Sequence, residues 1–185
     1  MKKIDFFKES IKNIKSIGTI TRSSKYLCRG MIKPVDFEQA NVIVELGAGD
    51  GVITEHILRH MKKDAKLLSF EVNEKFCEQM RKIKDDRLII VEDSAEKLGE
   101  YLAENNLGKA DYVISALPYV TFPEELALSI IRTSKEHMKD NALYIQVHYS
   151  LLTKKFYQTI FGNVDISFVP LNIPPAFVLV SEKVS

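Results

Sequence analysis

The segment from Val42 to Thr54 constrains this chain more than any other. It reads Val42-Ile43-Val44-Glu45-Leu46, then Gly47-Ala48-Gly49-Asp50-Gly51, then the start of a helix near Val52. A short aliphatic run closed by turn residues is the pattern of a buried strand. Glycines let the backbone turn sharply and let a ligand approach where a Cβ would otherwise stand. Such turns at the carboxyl end of a first parallel strand are where nucleotide cofactors sit. The dinucleotide fingerprint G-x-G-x-x-G needs its third glycine one residue later than Gly51, and Val52 stands there. That argues against a nicotinamide or flavin cofactor.

The rest of the chain alternates around this unit. Apolar strands are expected at 42–46, 66–71, 87–91, 111–116 and 142–149, with helical stretches at 51–62, 74–84, 95–105 and 123–138. Continuous apolar strands alternating with helices imply a parallel sheet covered on both faces. A further helix is expected at 151–161, then two strand-like segments at 163–169 and 176–182, joined through Asn172–Pro175. So short a link implies an antiparallel pair. The expected fold is therefore α/β: a mostly parallel seven-stranded sheet with an antiparallel C-terminal hairpin strand. Residues 1–185 are read as one domain.

Charge is unevenly placed. Residues 1–33 hold nine basic and two acidic residues, net +7, in a chain of net charge +1. Within this arm Ile4, Phe7, Ile11 and Ile14 recur at helical spacing, with Lys8 and Lys12 among the polar positions. A helix is expected over 3–16, stopped at Gly18, and a second short one after Ser23 or Ser24, which suit an N-cap. A basic amphipathic arm on an acidic body suggests an anionic partner, phospholipid or nucleic acid. No apolar run approaches the roughly 20 residues that span a bilayer. Nor does the N-terminus read as a secretory signal. Cys28 and Cys77 form no metal-spacing motif and are expected to be free thiols in a reducing cytoplasm.

The string Glu45-x-Gly47-x-Gly49-x-Gly51 resembles motif I of the S-adenosylmethionine-dependent methyltransferases, with Ala48 between the first two glycines. Glu71 ends the second strand 20 residues after Gly51, the separation at which an acid reaches ribose hydroxyls, with Val72 beside it. Asp93 and Ser94 lie just past the third strand. Asp93 there suits either a hydrogen bond from an adenine amino group or an N-cap of the helix from Ala95. The fourth strand ends Ser115-Ala116-Leu117-Pro118-Tyr119. In adenine N6-methyltransferases the corresponding motif carries Asn or Asp before Pro-Pro-Tyr or Leu-Pro-Tyr. Here that position is Ser115 or Ala116. Tyr119 and, at the end of the fifth strand, His148 and Tyr149 are the candidate catalytic groups. Asn172 and Pro174, in Asn172-Ile173-Pro174-Pro175-Ala176, are expected to form a rigid cover over the acceptor, because consecutive prolines fix the backbone.

Taken together, the basic amphipathic start, Gly18-Thr19-Ile20-Thr21-Arg22-Ser23-Ser24, motif I, Ser115–Pro118 and Asn172–Ala176 resemble the bacterial soluble phospholipid N-methyltransferases, relatives of the ribosomal RNA adenine dimethylases. That family commonly has proline before the paired serines and Gly-Leu-Pro-Leu at the fourth strand. Arg22 and Ala116-Leu117-Pro118-Tyr119 stand there instead. The resemblance implies a Rossmann-like class I methyltransferase fold and S-adenosylmethionine as cofactor, bound through Glu45, Gly47, Ala48, Gly49, Gly51, Glu71, Val72, Asp93, Ser94 and Ser115. It implies methyl transfer to the amine of phosphatidylethanolamine, with Leu117, Pro118, Asn172 and Pro174 on the acceptor side. It also implies a cytoplasmic protein held peripherally at the inner face of the membrane by its arm. No metal and no stable nucleic-acid partner are expected. Two alternatives stay open: an RNA adenine N6-methyltransferase, and a non-catalytic module that binds S-adenosylmethionine and lipid.

Overall fold

Seven strands form a single sheet in the order β3-β2-β1-β4-β5-β7-β6. The computed structural model describes residues 23–184. The expected helix over 3–16, and with it Ile4, Phe7, Lys8, Ile11, Lys12 and Ile14, lies outside the described residues. The strands are β1 (Val42–Leu46), β2 (Lys66–Phe70), β3 (Leu88–Val91), β4 (Ala110–Ser115), β5 (Met138–His148), β6 (Asp165–Val169) and β7 (Ala176–Glu182). The helices are α1 (Lys25–Ile32), α2 (Val52–His60), α3 (Glu74–Met80), α4 (Leu98–Glu104), α5 (Glu124–Glu136) and α6 (Lys154–Phe161).

The first five strands pair in parallel and β7 runs antiparallel to both β5 and β6. This is the class I methyltransferase architecture. Its central strands are buried on both faces: all of β1 and nearly all of β2 is inaccessible. One core joins the sheet to α4, α5 and α6, through Leu98, Leu102, Ile130, Phe156 and Phe161. The other joins it to α1 and α2, through Leu27, Met31, Ile53 and Ile57. Neither helix layer is optional for strands this apolar, since a bare face would leave them in water.

Strand order reverses between β1 and β4. In sheets of this kind the crevice outside the carboxyl ends of the two central strands is where ligands bind. Both the glycine loop after β1 and Ala116-Leu117-Pro118 after β4 open there.

Local chemistry sets the element ends. The Ser24 side chain accepts from Leu27 N and caps α1, and the Asn73 side chain accepts from Lys75 N and caps α3. Gly162, at φ 79°, closes α6. Three expectations need correcting. The helix expected from 95 is a 3-10 turn, Ala95–Lys97, followed by α4. Its cap is Ser94, whose hydroxyl accepts from Glu96 N, and not Asp93. β5 begins at Met138, four residues before the expected start, because the polar run Lys139-Asp140-Asn141 is still extended and Ala110 pairs with Met138. Among the described residues no helix is long and apolar enough to cross a membrane.

Candidate active site

Gly47, Gly49 and Gly51 all have positive φ, at 77°, 58° and 82°. Each lies where an L side chain is strained. The loop is pinned from behind: Gly47 N and Ala48 N both donate to Phe70 O, at 2.9 and 3.0 Å, and Gly51 N donates to Ala48 O. A Cβ at Gly47 would stand 2.8 Å from Leu117 Cδ2, so the loop needs this glycine for packing. Among the described residues, a Cβ at Gly49 would meet no atom within 4 Å beyond its chain neighbours. It would instead project into open space at the loop surface. Gly51 caps α2 against Ile83 and Met80.

Glu71 stands beside this loop. Its Oε2 accepts from Gly49 N at 2.8 Å and its Oε1 accepts from Asn73 N at 2.8 Å. Two backbone donors thus fix a carboxylate that also forms part of the cleft wall. A carboxylate is an acceptor on both oxygens and can take hydroxyls as well as backbone N–H groups.

The cleft has a volume of about 340 Å³. Gly47, Ala48, Gly49 and Glu71 line one side, Leu117 and Pro118 the middle, and His148, Tyr149 and Ser150 the other. A narrower recess continues past Glu71 and Val72 to Asp93 and Ala95. Asp93 is held there by Ser94 N at 2.7 Å, Lys97 Nζ at 2.8 Å and the Tyr101 hydroxyl at 3.1 Å. Burial opposes its charge, but the hydrogen bonds from Lys97, Ser94 and Tyr101 outweigh it and keep the carboxyl below its ordinary range.

Glu45 lies beneath the loop and not on the cleft wall. It is buried, and its Oε2 accepts from the Thr54 and Ser69 hydroxyls, both at 2.7 Å. Its Oε1 is also buried and has no hydrogen-bond partner among the described residues. Burial raises its pKa to about 7 against the pull of those two hydroxyls. Thr54 thereby ties the first turn of α2 to β1, and Ser69 ties β2 to the same carboxyl.

Tyr119 is the main correction among the acceptor-side residues. It is 1% exposed, packed in the core against Phe122, and its hydroxyl lies 2.6 Å from that of Tyr144. It does not line the cleft. Burial raises its pKa well above the ordinary phenol value, and that of Tyr144 to about 12. Ser115 is likewise buried, and its Oγ accepts from Leu117 N at 3.4 Å.

His148 does reach the cleft. Its Nε2 lies 2.8 Å from the Tyr157 hydroxyl, a partner on α6. Burial pushes the imidazole down to about 4, so it is neutral at physiological pH. Asn172 serves the scaffold: its Oδ1 accepts from Ser24 N at 3.1 Å and its Nδ2 donates to Pro174 O at 2.8 Å. It also hydrogen-bonds Tyr149. The β6–β7 turn, with Pro174, is thereby fastened to the start of α1, although neither Asn172 nor Pro174 lines the cleft. Sequence reasoning gave no role to Phe76, Val120 and Val147, which also line the cleft, nor to Tyr157. None of these belongs to a motif. Among the described residues no cluster of three or more His, Cys, Asp or Glu could hold a metal ion.

No protein-family model matches the chain. It is 30% identical over 174 residues to the ornithine lipid N-methyltransferase of Singulisphaera acidiphila, covering 92% of this chain and 91% of that protein. It is 25% identical over 120 residues to ribosomal RNA small subunit methyltransferase A of Thermotoga petrophila, covering 64% of this chain but only 44% of that protein. Among solved structures, an O-methyltransferase from Bacillus cereus in complex with S-adenosylhomocysteine superposes with TM-score 0.68 at 13% identity, over 96% of this chain and 90% of that one. At that identity the likeness shows the fold alone.

Proposed function

The chain belongs to the family of S-adenosylmethionine-dependent N-methyltransferases that includes the ornithine lipid enzyme of Singulisphaera acidiphila, and we propose that its acceptor is the amine headgroup of a membrane lipid, phosphatidylethanolamine foremost. What supports this most is the end-to-end match to an enzyme whose name specifies lipid amine chemistry. The sequence resemblance to phospholipid N-methyltransferases points the same way.

S-adenosylmethionine supplies a methyl carbon bonded to a sulfonium, which a neutral amine attacks in line. The residues present fit it. The backbone of Gly47–Gly51 leaves room at Gly49, and Glu71 offers a fixed carboxylate to ribose hydroxyls. The base is assigned to the side of the loop where Val72 and Asp93 lie, and Ser94 holds the turn there.

On the acceptor side, Leu117, Pro118, His148 and Tyr149 bound the path to the donor loop. The attacking amine must be neutral, while a free alkyl ammonium has a pKa of about 10. His148, at about 4, is a poor destination for that proton. A gap of some six units corresponds to roughly 8 kcal/mol uphill. Neither Tyr119 nor Tyr144 ionises near neutrality. Loss of that proton to bulk solvent before attack, which at pH 7 costs about three units or roughly 4 kcal/mol and is helped by desolvation of the ammonium, is therefore the route proposed, and the neutral His148 and Tyr149 orient the amine. Most of the rate then comes from positioning.

The basic arm is assigned to the membrane surface, with Ile4, Phe7, Ile11 and Ile14 toward the apolar boundary and Lys8 and Lys12 toward anionic lipid. An RNA adenine acceptor is the second reading, favoured by the Thermotoga relative and by Leu117-Pro118-Tyr119. Incubation with labelled donor and vesicles of phosphatidylethanolamine or ornithine lipid, with products resolved by mass, tests the headgroup assignment. Methylated phosphatidylethanolamine is expected. Label confined to ornithine lipid would move the substrate to that headgroup.

A further inference from the structure

We infer that the folded domain carries a bilayer-docking surface of its own, distinct from the arm: the apolar rim of Val120, Leu151, Leu152, Phe168 and Leu171 at the mouth of the cleft. The inference rests on the lipid-amine reading above. All five side chains are exposed, Leu152 and Leu171 at 74% and 61%. They come from three separate segments, after β4, after β5 and around the β6–β7 turn.

Sheet register brings these segments to one end. His148 pairs with Phe177, and Phe177 pairs with Phe168, so the three form a row across β5, β7 and β6. Leu151 and Leu152 follow His148 in the chain, and Leu171 follows Phe168, so all three lie beyond that row, on the side of the cleft. Val120 lines the cleft itself. Single exposed apolar residues are ordinary, but a cluster gathered from three turns around a site marks an interaction surface.

Two features commit this surface to a lipid bilayer. First, the rim is continuous with the cleft. An acceptor whose amine reaches Gly49 from a membrane must pass its acyl chains out through this mouth, which sets the apolar layer against these side chains. Second, basic side chains flank the rim, with Lys155 lying 3.9 Å from Glu124 at the start of α5. Lys154 and Lys155 follow Leu152 after one residue, Thr153, on the exposed start of α6. The preceding 22 residues, with six basic and two acidic side chains, join at Ser23, which lines the cleft. Ser24 is bonded to Asn172, next to Leu171. Apolar side chains ringed by cations complement an anionic interface.

The chain contains no tryptophan, so an introduced one reports alone. Full-length protein carrying Leu152→Trp or Leu171→Trp is mixed with vesicles of phosphatidylethanolamine and phosphatidylglycerol. Emission is expected to shift to the blue and to be quenched by brominated acyl chains. Glu104→Trp, at the far end of α4, should do neither. The paired variant Leu152→Asp with Leu171→Asp should lose turnover on these vesicles by about tenfold or more, because two apolar insertions are replaced by repelled charges. On a short-chain amine lipid dispersed below its aggregation concentration its turnover should stay within about twofold of wild type. Its affinity for S-adenosylhomocysteine is expected to hold too; if it falls, the tryptophan spectra decide. The inference is overturned if both introduced tryptophans ignore vesicles. It is overturned as well if they are already shielded without lipid, by the arm or by a second copy. Absence of methyl transfer to any amine lipid, with the tryptophans still inserting, would instead overturn the substrate reading alone.

Discussion

The backbone N–H of Gly49 donates to Glu71 Oε2 across 2.8 Å, so the turn after β1 and the acid after β2 act as one unit. Loop and carboxylate hold each other at the donor side of the cleft. Replacing Glu71 by alanine removes a charged acceptor and frees the loop. We expect S-adenosylhomocysteine binding to weaken by about 1–3 kcal/mol, read by calorimetry. Unchanged affinity would remove Glu71 from the donor site.

Gly49 and Gly47 separate strain from obstruction. At φ 58° an alanine at Gly49 costs about 1–2 kcal/mol of backbone strain and, beyond its chain neighbours, touches no atom of the described residues. Gly49→Ala should therefore fold with a modestly lowered melting temperature but lose donor affinity by more than that strain accounts for. Gly47→Ala should lose stability first, because its Cβ meets Leu117 at 2.8 Å. Parallel thermal melts and binding isotherms check the contrast.

Glu45 should make the protein less stable as pH rises. Its folded pKa of about 7 lies above its ordinary value of 4.5, so the folded state holds the proton more tightly than the unfolded one. Stability attributable to this group is complete below pH 4.5, falls between 4.5 and 7, and is level above that. The loss amounts to roughly 3 kcal/mol. Glu45→Gln cannot titrate and should flatten this part of the profile. Urea unfolding of the two proteins between pH 5 and pH 8 measures it, about those limits.

His148 is predicted to orient and not to exchange the proton. Because burial holds it at about 4, the turnover profile should lack an imidazole inflection near 6.5 and should rise with pH as the amine loses its proton. His148→Gln should lower kcat by roughly tenfold or more without displacing that profile. Tyr157→Phe removes the nearer hydroxyl from the imidazole Nε2, leaving Thr153 Oγ1 at 3.3 Å, and should have a smaller effect in the same direction. A profile whose inflection vanishes in His148→Gln would make the histidine a base.

The glycine-loop wall of the cleft was legible in sequence because it is local, although Glu45 and Ser115 lie off that wall. Strand, three glycines and helix start lie in consecutive residues, and Glu71 and Asp93 mark the ends of the next two strands. The acceptor half was not legible, because long-range pairing decides it. A tyrosine after Pro118 suits a cleft wall or a core equally well. It is Tyr144, 25 residues on and across the sheet, that supplies a hydroxyl partner and holds Tyr119 inside. Likewise nothing in the α6 pattern distinguishes Tyr157 from any buried aromatic until His148 is placed against it. The early start of β5 was hidden by polarity: Lys139-Asp140-Asn141 reads as a loop, yet Lys139 is held beside β4 by Asp111 at 2.6 Å. Gly99 shows the same limit. It interrupts a helical pattern for no local reason, and only the fold reveals His137 packed where a Cβ would collide.

The central claim is that the methyl group goes to a lipid amine. The direct test is one reaction holding purified protein, labelled S-adenosylmethionine, phosphatidylethanolamine–phosphatidylglycerol vesicles and unmethylated small-subunit ribosomal RNA together. Label is then counted in the chloroform and aqueous nucleic-acid fractions. The account predicts label in the lipid fraction, in a product carrying one or more N-methyl groups, and background counts in RNA. Label in RNA with none in lipid would contradict it.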